Sequence, residues 1–172
     1  MGAPRLPSMG IMSDPTWLDD DEQRAWRTLL RHSLLMFDRL DAELRHSHGI
    51  GLADYEILVQ LSEAPAHSLR MNELADQALV SRSRLTHRVD RLVEAGLVER
   101  QPCPTDRRGL FAVLSPAGVA LLDQAAPTHV AGVRRYAIDP LSRSTQRALT
   151  EELAAPLADL EALGATINCP GD

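Results

Sequence analysis

The chain has 172 residues, a length that favours one domain with short terminal appendages. Its residues are 44% hydrophobic but only 3% aromatic, so we expect a core of leucine, valine and alanine. No apolar run is long enough to span a bilayer, and the first residues lack the apolar segment of a signal peptide. We therefore expect a cytoplasmic protein without a membrane partner.

The formal net charge is −6, which by itself disfavours nucleic-acid binding. The charge is unevenly distributed, however, because residues 14–22 are strongly acidic. Residues 81–108 carry seven arginines against four acids, a local net charge of +3. All basic residues are arginine, so a single arginine carries little information and only their clustering indicates function.

The pattern in the first third predicts an arm followed by two helices. Residues 1–19 contain Pro and Gly without periodicity and are expected to form a flexible arm. Apolar residues then recur at steps of three and four, which predicts a helix over residues 20–46. A second helix is predicted over residues 53–63, before Pro65.

The next segment predicts two helices joined by a very short connection. "RMNELADQAL" fits a helix over residues 71–78, and "SRSRLTHRVDRLVEAG" fits one over residues 81–95. Ser81 is expected to cap the second helix and Gly96 to end it. Two helices connected in this way are typical of a helix-turn-helix.

Two apolar runs, residues 97–101 and 110–114, flank "PTDRRG" and predict a β-hairpin. Ser115 is expected to cap a following helix that reaches about Ile138, with Pro127 interrupting or kinking it. A last helix is predicted over residues 139–163, with a second kink at Pro156, before a tail at residues 164–172.

The helix over residues 81–95 carries the strongest functional signal. Its arginines lie two to four positions apart, where like charges destabilise a helix unless they meet a negative partner. The alternative is a solvated surface helix, but Arg, Ser, Thr and His also suit contacts with phosphates and base edges. The candidate DNA contacts in the two helices are Arg70, Asn72, Ser81, Arg82, Ser83, Arg84, Thr86, His87 and Arg88.

The segment "MNELADQALVSRSRLTHRVDRLVEAGLVERQPCPTDRRGLFAVLSPAG" closely resembles the winged helix-turn-helix core of MarR-family transcriptional regulators. The resemblance extends over residues 20–163. It implies a mainly α fold with a small β-hairpin wing, in which residues 53–115 bind DNA. Residues 20–50 and 116–163 would then form the dimerisation helices.

The resemblance also implies a function and further sites. It implies a homodimer that binds double-stranded DNA at a pseudo-palindromic operator and represses transcription until a ligand, oxidation or occasionally a metal relieves the repression. The family's wing motif falls on Asp106 and Arg108. Arg108 would enter the minor groove, Asp106 would orient it, and Arg107 would contact the backbone. A small aromatic or phenolic effector would bind near Trp26, His32 and Met36, although helical spacing on an apolar stripe favours the core for Trp26 and Met36.

Other functional classes have little support in the sequence. There is no phosphate loop, zinc-protease motif or nucleophile elbow, so we expect no enzyme and no cofactor. His46 and His48 alone do not make a metal site. Cys103 is expected to be a partly exposed bystander, with a redox role as the alternative. The remaining alternative function is a winged-helix module that binds an acidic protein.

Overall fold

The computed structural model describes residues 16–77, 82–103 and 106–162. The chain divides into two compact units, Met1–Ser33 and Leu34–Asp172, and the boundary lies within the first helix, α1 (Asp20–His48). No helix in the described ranges combines the length and the apolarity that crossing a membrane requires.

In the first unit, α1 begins at a reciprocal cap. The backbone N–H groups of Asp21 and Glu22 donate to the Asp19 carboxylate at 2.8 Å, and the Asp19 N–H donates to Glu22 Oε2. These bonds satisfy N–H groups that have no partner within the helix, and the acidic first turn complements the helix dipole. The predicted start of this helix at Asp20 is therefore confirmed.

The second unit contains the rest of α1 and all other elements. Its helices are α2 (Leu52–Glu63), α3 (Met71–Gln77), α4 (Arg82–Glu94), α5 (Pro116–Val133) and α6 (Arg143–Ala162). A 3-10 turn at Pro65–His67 follows α2, and a π-helical turn at Arg134–Ile138 follows α5. The strands are β1 (Ser68–Arg70), β2 (Val98–Cys103) and β3 (Asp106–Leu114). The predicted fold class, mainly α with a small β wing, is confirmed.

The sheet contains one strand more than the sequence predicts. β2 and β3 form the expected antiparallel hairpin, but β1 pairs with the other edge of β3, giving the order β1-β3-β2. Leu69 lies opposite Ala112, and Val98 lies opposite Leu114. The register shifts between Pro102 and Cys103, where Pro102 can donate no backbone hydrogen bond. The pairing with β1 attaches the wing to the segment that enters α3.

The core is aliphatic, as the composition predicts. It includes fully buried leucines of α1, α2, α3 and α4, and Val98 and Ala112 of the sheet. Gly96 lies two residues after the end of α4 and has a φ of +72°, a left-handed conformation that glycine adopts at low cost. This conformation confirms Gly96 as the glycine that ends the helix.

The break considered at Pro127 does not occur, and the helix that contains Pro156, where only a kink was expected, is also continuous. α5 continues through Pro127 to Val133, and α6 continues through Pro156 to Ala162. A proline removes one backbone hydrogen bond and crowds the preceding turn. In both cases the rest of the helix is long enough to keep its other hydrogen bonds on either side.

Candidate nucleic-acid interface

The helix pair α3 and α4 presents one buried and one exposed face. Leu85, Val89 and Leu92 of α4 are buried at spacings of four and three, so they form the stripe that packs on the core. Val93, which the sequence places on the same stripe, is exposed instead. Arg84, Thr86 and His87 are exposed on α4. These three predicted DNA contacts are therefore accessible to a ligand.

A groove of about 340 Å³ lies between α4 and the wing. Its walls come from the end of β1, the start of α3, α4 and the two wing strands. The residues that line it are Arg70, Met71, Asn72, Thr86, Arg100, Gly109 and Leu110. It brings Arg70, Asn72 and Thr86, predicted separately from the sequence, to one surface.

Arg70 is held over the sheet by two contacts. Its Nη2 donates to Cys103 Sγ at 3.2 Å, and its guanidinium carbon lies 5.4 Å from the centre of the Phe111 ring. The exposure predicted for Cys103 is wrong, because the side chain is buried at the irregularity in β2. The arginine in contact with its thiol is Arg70 of β1, the strand on the other side of β3, which no local pattern around Cys103 indicates.

Arg88 differs from the other predicted contacts on α4. Its side chain is only 8% exposed, and its Nη1 lies 3.1 Å from Asp54 Oδ1 of α2. Buried arginine requires such a partner, because an uncompensated charge is costly away from water. In this conformation Arg88 faces α2, which disfavours a direct contact between Arg88 and a base.

A second ion pair joins α4 to the wing. Arg100 of β2 contacts Asp90 of α4 with an Nη1–Oδ1 distance of 2.5 Å, and its Nη2 donates to the backbone oxygen of Thr86 at 3.3 Å. The wing and the helix are thus connected by a charge-assisted hydrogen bond. Sequence reasoning missed Asp54 and Arg100 as parts of this interface, since each acts on a residue that lies ten or more positions away.

Several predicted contacts lie outside what the structure describes. Ser81 falls in the undescribed connection, and the side chains of Arg82 and Ser83 are not described, although both residues belong to the first turn of α4. The same holds for the side chains of Asp106, Arg107 and Arg108. Their backbone forms the first residues of β3, at the outer end of the wing.

The candidate effector residues have different surroundings. In the first unit, Trp26 is 52% exposed and His32 is also exposed, so the core interpretation of Trp26 is wrong for this chain taken alone. In the second unit, Met36 is partly buried against the core, in agreement with its alternative interpretation.

The two histidines considered for metal binding, His46 and His48, have different surroundings. His48 Nε2 lies 2.8 Å from Thr128 Oγ1 of α5, and His46 is exposed. Within the described ranges, no group of three or more His, Cys, Asp or Glu side chains could hold a metal ion.

Comparison with known proteins relates this geometry to a family. The sequence model of the MarR family matches residues 48–109. The transcriptional regulator MhqR of Bacillus subtilis is 31% identical over 108 residues, which cover 63% of this chain and 72% of MhqR. MhqR and the members of the MarR family are transcriptional regulators and not enzymes, in agreement with the prediction from sequence.

Two solved structures from Streptomyces coelicolor share the fold. AbsC, a MarR family transcriptional regulator, superposes with a TM-score of 0.83 at 42% identity, covering 86% of this chain and 99% of AbsC. A second MarR family regulator, solved in complex with DNA, has a TM-score of 0.83 at 40% identity and covers 86% of this chain and 92% of its own.

Proposed function

Because this chain belongs to the MarR family and is a DNA-binding transcriptional regulator, we propose that it acts as a homodimeric, ligand-responsive repressor. It would act in the cytoplasm, where it would meet its operator. The observation that carries the DNA-binding geometry is the exposed face of α4, with Arg84, Thr86 and His87, beside the groove that contains Arg70 and Asn72.

We assign α4 to the major groove and the wing to the adjacent minor groove. An α-helix fits the major groove, where arginine bonds guanine and Thr or His reaches bases or phosphates. Arg108 at the outer end of the wing would enter the minor groove, whose negative potential attracts arginine. Arg107 would bind a backbone phosphate, and Arg82 and Ser83 would contact DNA from the first turn of α4.

We assign the homodimer interface to the N- and C-terminal helices. None of the α6 side chains is buried, and its exposed leucines recur at positions 149, 153, 157 and 160. Leu34, Leu35 and Phe37 of α1 are also exposed. Several exposed apolar side chains along one face of a helix are typical of a protein interface. A dimer that covers an operator can repress by excluding polymerase, which requires no further domain.

Two of the candidate effector contacts on α1, Trp26 and His32, have exposed side chains. We propose a small aromatic or phenolic effector that contacts Trp26 and His32, since an exposed indole can stack on an aromatic ring. Titration of candidate phenols should quench the fluorescence of the parent protein. A Trp26→Phe variant should show a smaller change, and equal quenching in both proteins would remove Trp26 from the effector site.

Selection of bound duplexes from a random DNA pool tests the proposed function. A two-fold dimer should select a pseudo-palindrome whose half-site centres lie about one helical turn apart, roughly 34 Å. Binding of the selected duplex should weaken steeply with salt because several phosphates are neutralised. Selection without any sequence preference would instead favour a module that binds an acidic protein.

Replacing Arg108 tests the role of the wing. The Arg108→Ala variant should bind the selected operator about tenfold more weakly, because it loses one minor-groove contact. Its dimer and thermal stability should be unchanged, since this position lies at the outer end of the wing. An Arg143→Ala variant, which removes one exposed arginine of α6, is the matched control. Equal affinity of the Arg108→Ala and parent proteins would contradict the assignment.

A further inference from the structure

We propose that Asp54 is a positioning residue for DNA recognition, which sets the rotation of α4 about its own axis through Arg88 and Arg91. The inference rests on the proposed role of α4 as the recognition helix. It gives a function to a carboxylate that belongs to α2 and lies outside the helix pair.

The geometry of the contact involves two successive turns of α4. Asp54 Oδ1 lies 3.1 Å from Arg88 Nη1 and 3.3 Å from Arg91 Nη2, and Asp54 Oδ2 lies 3.4 Å from Arg91 Nη2. Residues three positions apart lie on the same face of a helix. One carboxylate of α2 therefore contacts two neighbouring arginines along one edge of α4.

The side chains of Asp54, Arg88 and Arg91 are buried to different extents. Arg88 and Asp54 are 8% and 13% exposed, whereas Arg91 is 60% exposed. The contact thus lies at the border between the buried and exposed faces of α4. A charge-assisted hydrogen bond at this border is directional, whereas the aliphatic contacts of Leu85, Val89 and Leu92 tolerate small rotations.

A small rotation of α4 would matter for DNA readout. Side-chain atoms lie about 5 Å from a helix axis, so a turn of about 20° displaces them by about 2 Å. Hydrogen bonds to base edges tolerate only a few tenths of an ångström before they weaken. Holding the rotation of α4 therefore determines whether Arg84, Thr86 and His87 meet the correct bases at the same time.

The position of Asp54 is fixed by hydrogen bonds at the start of α2 and by buried neighbours on the same helix. It lies in the first turn of α2, and its backbone N–H donates to the Gly51 oxygen at 3.1 Å. The neighbouring N–H of Leu52 donates to Asp41 Oδ1 of α1 at 2.8 Å. Tyr55 and Leu58, beside Asp54 on α2, are buried. Asp54 thus transmits the position of α2 to α4 by a route that does not pass through α3.

The energetics of buried ion pairs permit a clean test. Replacing both members of a buried pair is often neutral for stability, because the cost of removing the charges from water disappears with their attraction. The double variant Asp54→Asn with Arg88→Met should therefore fold. The matched control replaces an exposed pair, Arg134 and Asp139, whose Nη2–Oδ1 distance is 2.7 Å, by Arg134→Met with Asp139→Asn.

The measured quantity is discrimination, the ratio of affinities for the selected operator and for a duplex with one altered base pair per half-site. Parent and control should discriminate equally. The Asp54→Asn, Arg88→Met variant should lose about tenfold or more of this ratio, since each of the two altered base pairs costs the parent about fivefold or more in affinity. Its affinity for non-specific DNA should change less than about threefold, because the exposed arginines of α4 are retained.

The outcomes separate positioning from general stability. If the double variant melts like the parent and discriminates like the parent, Asp54 is not a positioning residue. If the double variant does not fold, the Arg91→Gln variant, which removes the exposed contact to Asp54 and keeps the buried pair with Arg88, is measured in the same way with the same criterion. A parent protein that shows no discrimination at all would overturn the proposed function itself and not only this inference.

Discussion

At the scale of single residues, His129 of α5 shows how burial changes a titration. Its ring lies 4.7 Å from the ring of Tyr55, and its Nε2 lies 4.0 Å from Glu56 Oε1. Its Nδ1 is buried without a hydrogen-bond partner within the described structure. Burial lowers the pKa of His129, because the charged imidazolium loses its hydration.

This lowered pKa predicts a loss of stability in mild acid. In the unfolded chain His129 takes up its proton near pH 6.5, whereas the folded protein resists protonation until a lower pH. The stability present above pH 6.5 should therefore decrease as the pH falls through that value towards the pKa of the folded state. We expect the melting temperature of a His129→Gln variant to depend less on pH between pH 7.5 and pH 5.5 than that of the parent.

Two variants serve as controls for the pH experiment. The His46→Gln variant, which removes an exposed histidine of α1, is the matched control. Burial and the nearby Glu63 raise the pKa of Glu56, so Glu56 adds stability as the pH falls, which opposes the effect of His129. Repeating the comparison in a Glu56→Gln background isolates His129. Identical slopes for the parent and His129→Gln proteins would contradict the prediction.

Arg88 and Cys103 show why residue type alone does not assign a role. Arg88 shares the composition of the candidate DNA contacts around it, but the fold turns it towards Asp54 of α2. Cys103 was expected near solvent, but the fold buries it beside Arg70 of β1. In both cases the deciding partner lies more than 30 residues away, so no local pattern contains the information.

At the scale of elements, the start of α5 is a well-defined junction. Ser115 Oγ accepts from the Gly118 N–H at 3.0 Å and donates to the Gly96 oxygen at 2.7 Å. The cap and the Pro at the first helical position confirm the prediction from "SPAG". The second bond connects α5 to the turn after α4, which the sequence does not indicate.

Removing this cap should cost more than removing an exposed one. We expect Ser115→Ala to lower the free energy of unfolding by about 2 kcal/mol, because both bonds are lost at a buried position. Ser142, whose exposed Oγ accepts from the Thr145 N–H at 3.1 Å at the start of α6, is the matched control. Ser142→Ala should cost about 0.5 kcal/mol. Urea unfolding at one protein concentration measures both, and equal losses would contradict the role of the second bond.

The wing hairpin can be predicted from the sequence, but the short strand β1 cannot. The wing strands follow one another closely in sequence, so the hairpin was predictable. β1 contains only Ser68, Leu69 and Arg70, too few for an alternation to be visible, and its partner on β3 begins more than 40 residues later. Such a strand exists because its backbone groups find a partner edge, which is a property of the assembled sheet.

At the scale of the whole molecule, the exposed leucines of α6 predict the assembly state. Replacing Leu153 and Leu157 by Asp should convert the proposed dimer to a folded monomer, because two charges would be buried in the proposed interface. Light scattering coupled to size exclusion measures the mass, and circular dichroism measures the helix content. Operator affinity should fall strongly, since a monomer reads only one half-site.

The control for the dimer experiment lies on the opposite face of the same helix. Ala155→Asp with Ala162→Asp places two acids on α6 about 200° away from the leucines, at exposed positions. This variant should remain a dimer. A Leu153→Asp, Leu157→Asp protein that keeps the mass of a dimer would show that α6 does not form the interface.

The sequence by itself determined the local structure and the family. Apolar spacing, caps and glycines placed α1 to α6 and the hairpin, because helices and tight turns depend on contacts between near neighbours. The order of motifs from "ELA" to the wing sufficed to predict a winged-helix DNA-binding regulator. Only the tertiary structure decided that β1 joins the sheet, that Arg88 binds Asp54, and that Arg100 connects the wing to α4. These features depend on pairs of residues that are distant in sequence and meet only when the core brings their elements together.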